Sequence, residues 1–278
     1  MVGVVLKDQI GSFQTRVYNM SLIDLYQLSC TRLRRTLAPI SRIFMAHEPP
    51  YILHVFEPPS NEYRVPHWAS QIESMQPNEY SDCSIIQIDH RKNLSNKEHE
   101  FLVATISHLA GYRCYLKIHR CVEVSSASDS STMASPYVKP PRSALDLVEF
   151  ISEIKDEKES IIVGSVSFNN PNAIPSIPNL SILLSVVHAH AIDYHPRHYN
   201  CYWYAHTVVD VLRRNYRGVD DAVKPAHRAQ KSKLSSIIIR TKDSVAQVET
   251  EYSDALKAWK QRVDVSQKAQ LAEVARVR

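Results

Sequence analysis

The five cysteines and thirteen histidines are the residues of this chain with the widest range of chemistry. Cys201 has the most informative position, because it opens a helically spaced apolar stripe. Asn200 immediately before it is a favoured N-cap residue, so the pattern predicts a helix that begins at Cys201. Free N–H groups and the helix dipole stabilise an anion in a first turn, which predicts a thiolate with a lowered pKa. The alternative is a small side chain that only packs in the core. The stripe consists of Cys201, Tyr204, Ala205, Val208, Val211 and Leu212.

Two histidines earlier in the chain could serve such a thiol. His99 stands directly before an apolar run at 101–106, and His119 lies within a second run at 114–124. The connection 107–113 contains Gly111, so the two runs predict a β-hairpin. Taken alone, each histidine also suits a hydrogen-bonded strand residue that has no catalytic role.

The helix, loop and Asn200-Cys201 helix over 179–212 resemble the permuted papain-like fold of the lecithin:retinol acyltransferase and NlpC/P60-related families. In those families a strand that carries a base histidine precedes the cysteine, and a second polar residue follows on the next strand. The resemblance implies an α+β fold with an antiparallel sheet packed on helices. It also implies Cys201 as nucleophile, His99 as general base and His119 as the residue that orients it.

The resemblance further implies acyl transfer through a thioester, with no cofactor and no metal. Backbone N–H groups at the start of the helix would hold the oxyanion. The expected pocket residues are Asn200, Tyr202, Trp203 and His198. Tyr202 and Trp203 stand where the acyltransferases have Glu and His, so the resemblance does not carry over their lipid substrates. The run 201–205, Cys-Tyr-Trp-Tyr-Ala, is also similar to a motif of a group of fungal proteins.

A histidine cluster before Cys201 offers a competing interpretation, since His-x-x-Cys spacing can bind zinc. His188 and His190, however, would point about 200° apart on a helix, and His195 and His198 flank Pro196 in a loop. We therefore expect separate histidines at the helix end and no metal site there.

Composition excludes several classes of function. The chain has only five glycines and no Gly-x-Gly or Gly-Lys-Ser/Thr stretch, which argues against Gly-rich nucleotide-binding loops. A formal charge of +4 permits nucleic-acid binding without favouring it. The sequence shows no signal-peptide core and no apolar run of about 18 residues. An odd number of widely spaced cysteines favours free thiols, hence a cytoplasmic protein.

Four segments are predicted along the chain: a helical lead-in at 1–50, an α+β domain at 51–216, a basic linker with a short strand at 217–243, and an amphipathic helix at 244–278. Within the domain, residues 57–82 are expected to be loop-rich and 125–143 to form a mobile Ser-rich loop. Strands are predicted at 51–56, 84–88, 101–106, 114–124 and 160–168. Helices are predicted at 21–45, 144–154, 179–194 and 201–216.

The favoured function is therefore a cysteine-dependent hydrolase or acyltransferase that acts on an acyl donor of unknown type. A second hypothesis is a non-catalytic interaction protein. Its C-terminal helix would pair with a partner or a second copy. The apolar stripe of that helix is expected to pack on the domain or on a partner, and it contains Val245, Val248, Tyr252 and Trp259. A third is tRNA-dependent aminoacyl transfer of the cyclodipeptide-synthase type.

Overall fold

The computed structural model of the protein describes residues 62–75, 80–94, 98–109, 111–123, 142–151, 154, 160–196, 198–234, 237–238 and 244–277. All of them belong to one compact unit, Pro49–Arg278. The predicted helix at 21–45 and strand at 51–56 lie outside the described residues, as does the predicted mobile loop except for its last two positions. Within the described chain, no helix is long and apolar enough to cross a membrane.

One antiparallel sheet of eight strands forms the framework, which makes the fold α+β. Its strands lie in the spatial order β1-β5-β4-β3-β2-β6-β8, and β7 pairs with β5. A separate two-stranded ribbon joins β9 to β10. The strands are β1 Glu62–Arg64, β2 Cys83–Asn93, β3 Glu100–His108, β4 Arg113–Val122, β5 Arg142–Ile151, β6 Ser160–Ser167, β7 Asp193–Tyr194, β8 Val219–Asp220, β9 Lys233–Leu234 and β10 Ile237–Ile238.

The structure has five helices within its described residues, and local sequence explains where the longer ones begin. The capping box of α2 is formed by Ser176, whose hydroxyl accepts from the Asn179 N–H while the Asn179 side chain accepts from the Ser176 N–H. Pro66 stands in the first turn of α1, where it loses no intrahelical hydrogen bond. The helices are α1 Val65–Ser74, α2 Ile177–His190, α3 Cys201–Asn215, α4 Pro225–Arg228 and α5 Val245–Val277.

Two of the predictions about local structure are wrong. Of the segment predicted as a helix at 144–154, residues 144–151 belong to strand β5 and pair with β4. Residues 57–82, expected to be loop-rich, contain β1 and α1. The predicted hairpin is confirmed, because β3 and β4 pair antiparallel. The helices predicted near 179–194 and 201–216 are α2 and α3 with shifted ends.

The hydrophobic core lies between one face of the sheet and the helices. Each row across the sheet is made of paired residues from β2, β3, β4 and β5 whose side chains share that face. One such row is Ile88, Ala104, Leu116 and Phe150, and all four are buried. The first two turns of α5 close the other side with buried Val248 and Tyr252.

The core face ends in charged residues where α3 begins. In the strand register Lys92 lies opposite Glu100, and Arg120 lies opposite Asp146. These side chains are almost fully buried, with exposures of 2%, 0%, 0% and 1% for the residues in that order. A buried charge is tolerated only when it is paired and hydrogen-bonded, so this end of the core must be a dense polar network. We call these four residues the charged row.

Candidate functional site

The start of α3 is built as its sequence predicts. The Asn200 side chain accepts a hydrogen bond from the Trp203 N–H at 3.0 Å, and its amide donates to the Pro196 carbonyl at 2.7 Å. Asn200 is 1% exposed, so this cap is a buried part of the structure. The cap confirms the expectation that Cys201 occupies the first turn of a helix.

The thiol of Cys201 is held in a buried environment. The backbone N–H groups of Glu100, Tyr202 and Cys201 itself lie near the sulfur and favour its anion. Cys201 is only 5% exposed, however, and burial outweighs the effect of these N–H groups. Burial raises the pKa of the Cys201 thiol to about 11, and the negative charge of Glu100 contributes to the rise. The expectation of a lowered pKa is therefore wrong, because the helix start lies inside the core.

His99 and His119 lie together, but on the face of the sheet opposite to α3. Arg120 packs 5.1 Å from the Trp203 ring of α3, and consecutive strand residues face opposite sides, so His119 points away from that helix. The His99 ring lies 5.8 Å from the His119 ring in an edge-on arrangement. Burial, chiefly, lowers the pKa of His119 to about 4. The structure thus brings the two histidines to each other and does not bring them to Cys201.

Glu100, one position after His99, is a residue of β3 whose side chain lies on the same side of the sheet as α3. One oxygen of its carboxylate accepts from the Ser232 N–H at 2.6 Å, and the other lies 2.6 Å from Nε2 of His90. Glu100 and His90 are 0% and 1% exposed. Burial lowers the pKa of His90, while its hydrogen bond to Glu100 opposes that effect. A buried carboxylate–imidazole pair therefore lies next to the Cys201 thiol.

Sequence reasoning missed Glu100 and His90. Residues of one face alternate along a strand, so Glu100 shares the helix-facing side of β3 with Leu102 and Ala104. Phe101 and Val103 on the other side are buried as well, so the apolar run alone did not show which side faces the helices. The side chain of His90 had no signal either, because its strand continues well beyond the apolar run at 84–88.

Two tyrosines border the thiol. The Tyr194 hydroxyl lies near the Cys201 N–H, and burial is the main cause that raises the Tyr194 pKa to about 12. The Tyr202 hydroxyl donates to the carbonyl oxygens of Glu98 at 3.2 Å and of Lys233 at 3.3 Å. Because the Tyr202 hydroxyl is already bound to these carbonyls, it does not serve as an oxyanion donor in this state.

The segment 230–233 is fixed against the same end of the core. The Lys92 ammonium donates to the Lys233 carbonyl at 2.5 Å and the Gln230 carbonyl at 3.1 Å. Lys92 also forms an ion pair with Glu98 at 2.8 Å. Ser232, with φ of 56°, adopts the left-handed conformation, and its N–H meets Glu100. These contacts connect the charged row to the loop around Ser232.

The remaining predicted pocket residues have other surroundings. Trp203 is fully buried, and its indole N–H donates to the Ser244 hydroxyl at 3.0 Å, so it joins α3 to the start of α5. His198 is exposed, and its ring stacks on that of His195 with 4.5 Å between centroids. These contacts give neither Trp203 nor His198 a role next to the Cys201 thiol.

The histidines of the cluster before Cys201 have separate partners. Nδ1 of His188 lies 2.8 Å from Asp146, and Nδ1 of His190 lies 3.1 Å from Glu251. The His190 ring also stacks on Trp203 at 6.0 Å. Within the described part of the chain, the His, Cys and carboxylate groups close enough to hold one metal ion are Glu62, His119 and Glu149, on the far face of the sheet.

Comparison with known proteins does not add to this picture. No protein-family model, curated protein or solved structure matches the chain.

Proposed function

We propose that the protein is a cysteine-dependent acyl-transfer enzyme on a permuted papain-like fold, with Cys201 as nucleophile and Glu100 in place of His99 as base. One observation carries the proposal. The thiol lies in the first turn of a helix with backbone N–H groups near the sulfur, and the buried carboxylate of Glu100, hydrogen-bonded to His90, lies close enough to act on its charge. The strand pair β3 and β4 precedes the cysteine helix, in the chain order of that fold.

The chemistry begins from a neutral thiol, because the raised pKa keeps Cys201 protonated near pH 7. As sulfur attacks the acyl carbon, its proton passes to the Glu100 carboxylate and the new S–C bond forms. The N–H groups at the start of α3 stabilise the oxyanion. The tetrahedral intermediate then expels the leaving group, which takes up the proton, and a thioester remains. Water or an acceptor cleaves the thioester and regenerates the thiol.

Substrate entry requires a local opening, since Cys201 is 5% exposed. For the segment 230–233 to move, Tyr202 and Lys92 must release its carbonyls, and the Ser232 N–H must release the Glu100 carboxylate. Closure of this segment over a bound acyl group would exclude water and favour transfer over hydrolysis.

A second function, a non-catalytic interaction protein, is favoured by the distal part of α5. Its first turns bury Val245, Val248 and Tyr252, whereas three later apolar residues are largely exposed. The exposures are 68% for Val265, 70% for Leu271 and 53% for Val274. An apolar helical surface of this kind pairs readily with another helix.

The deciding experiment is intact-mass detection of a covalent adduct after incubation with a panel of activated esters, amides, thioesters and aminoacyl donors. We expect one acyl group on the wild-type protein, mapped to Cys201 by peptide analysis. It should be absent in Cys201→Ala, strongly reduced in Glu100→Gln and unchanged in His99→Ala.

Cys121→Ala is the control, because it removes a partly buried thiol away from the candidate site and should leave the adduct intact. Circular dichroism and thermal unfolding must first show that each variant is folded. If no class of donor labels the folded wild type at Cys201, the acyl-transfer proposal is wrong. Self-association that depends on Leu271 and Val274 would then support the interaction function.

A further inference from the structure

We propose that Glu62, His119 and Glu149 form a binding site for a divalent transition metal such as Zn²⁺, on the face of the sheet opposite to Cys201. One ligand atom from each residue can be chosen so that all three lie within 4.8 Å of one another. The residues come from three adjacent strands, β1, β4 and β5, so the sheet itself fixes their separation. This site is independent of the proposed acyl-transfer chemistry.

The pairing of the strands brings like charges together. Glu62 lies directly opposite Glu149 in the antiparallel pair of β1 and β5. Two carboxylates in such positions destabilise a sheet unless a cation lies between them. Lys117, opposite Glu149 on the other side, supplies one positive charge through an ion pair of 2.6 Å. Within the described part of the chain Glu62 forms no ion pair with Lys117, so the two carboxylates and the ammonium keep a net negative charge that attracts a divalent ion.

The imidazole of His119 provides the donor that distinguishes this set from a purely acidic cluster. Its Nε2 is buried and has no hydrogen-bond partner within the described part of the chain. A buried polar atom that is left unsatisfied costs about 1–3 kcal/mol, and coordination is one way to satisfy it. The edge-on His99 ring at 5.8 Å restricts the imidazole on one side.

The donor set indicates which metal fits. One imidazole nitrogen with two carboxylate oxygens suits Zn²⁺, whereas Mg²⁺ and Ca²⁺ prefer oxygen ligands alone. Tetrahedral Zn²⁺ with bonds of about 2.0–2.1 Å holds its ligand atoms about 3.3 Å apart, so the three side chains must draw together by rotamer changes. Glu62 is exposed, and its side chain has room to make that change. Three protein ligands leave a coordination position for water or another ligand.

Substitution of Lys117 should change the metal affinity in a direction that a purely structural role would not produce. Its ammonium competes with the metal for Glu149, so removing it should strengthen metal binding. A structural role for the same residues, in which Lys117 only neutralises Glu149, predicts no such gain. The Lys117→Gln variant therefore separates a metal site from an ordinary surface ion pair.

The experiment is titration of the metal-free full-length protein with Zn²⁺ by isothermal calorimetry and by competition with a chromophoric chelator. We expect one site per chain in the wild type, weakened about tenfold or more in His119→Gln and in Glu62→Gln. Lys117→Gln should bind severalfold more tightly. His198→Gln is the matched control, because it removes an exposed histidine elsewhere and should leave the affinity unchanged.

Thermal unfolding with and without Zn²⁺ gives a second readout, in which the wild type gains stability and His119→Gln does not. The proposal is overturned if the folded wild type binds no stoichiometric Zn²⁺. It is equally overturned if His119→Gln binds Zn²⁺ as tightly as the wild type does, or if Lys117→Gln fails to tighten binding. The acyl-adduct experiment at Cys201 depends on none of these outcomes, so the two proposals fail separately.

Discussion

Arg120 and Asp146 form a two-point ion pair on neighbouring strands, with N–O distances of 2.6 and 2.7 Å and neither side chain exposed. The guanidinium packs on two rings of α3, 5.1 Å from that of Trp203 and 5.0 Å from that of Tyr204. It also donates to the Ala191 carbonyl at 2.9 Å, just after α2. The pair therefore joins the sheet to both helices that flank the candidate site.

Removing one partner of this pair should destabilise the fold strongly. Asp146→Ala leaves a buried guanidinium without its counter-ion, and we expect a loss of about 3–5 kcal/mol in urea unfolding. Arg120→Lys should also cost stability, because an ammonium cannot make the two-point contact or stack on the rings. The control is Arg64→Ala, which breaks the exposed Arg64–Glu123 pair and should cost about 1 kcal/mol or less. Equal losses for the buried and the exposed pair would contradict this prediction.

Alkylation of Cys201 in the resting protein should be slow near pH 7. Its thiol is buried with a pKa raised to about 11, so little thiolate is present until the pH approaches that value. Glu100→Gln should speed alkylation, because it removes a negative charge that raises the pKa. His99→Ala should have no effect. Peptide-resolved mass spectrometry across pH measures these rates, and half-maximal reactivity of Cys201 near pH 8.5 would disprove the buried environment.

The same thiol should make stability fall under alkaline conditions. The pKa of Cys201 is raised on folding from 9.0 to about 11, so the unfolded chain loses its proton first as the pH rises. The stabilisation is complete below pH 9 and is lost between pH 9 and 11, with a magnitude on the order of 2–3 kcal/mol. Cys201→Ala should show a flatter dependence over that range in urea unfolding. Identical slopes for the two proteins would rule out this contribution.

The two halves of α5 should differ in their effect on stability. Tyr252 is fully buried, and its hydroxyl lies 2.5 Å from that of Tyr216, so Tyr252→Ala should cost about 3–5 kcal/mol. Deletion of residues 264–278 removes mainly exposed residues and should leave the free energy of unfolding nearly unchanged. Analytical ultracentrifugation of the deletion variant then tests pairing through Leu271 and Val274. A large loss of stability on deletion would show that the distal half packs on the body.

The sequence predicted those elements whose signals are local. Asn200 and the apolar stripe after it located α3 to within a residue, and Gly111 marked the turn between β3 and β4. The segment 144–154 was misassigned because its short apolar run fits a helix as well as a strand. The segment is a strand because it pairs with β4, and that pairing depends on residues distant in the sequence.

The candidate site was predicted only in part for a related reason. Cys201 and its cap follow from local sequence, but its neighbours depend on which face each strand residue takes. An error of one position exchanged Glu100 for His99 and placed the expected base on the wrong side of the sheet. The raised pKa of Cys201 was also beyond local reasoning, because the dipole of a helix can be inferred from sequence while the burial of its first turn cannot.

The charged row also bears on how the chain avoids misfolding. If β3 or β4 slipped by one residue against its neighbour, Glu100 or Arg120 would lose the partner that now compensates its burial. An unpaired charge in the core costs several kcal/mol, which is comparable with the whole stability of a typical domain. We infer that these four residues disfavour pairing of β3 and β4 in the wrong register during folding. They penalise a misaligned sheet at the end of the core where Cys201 lies.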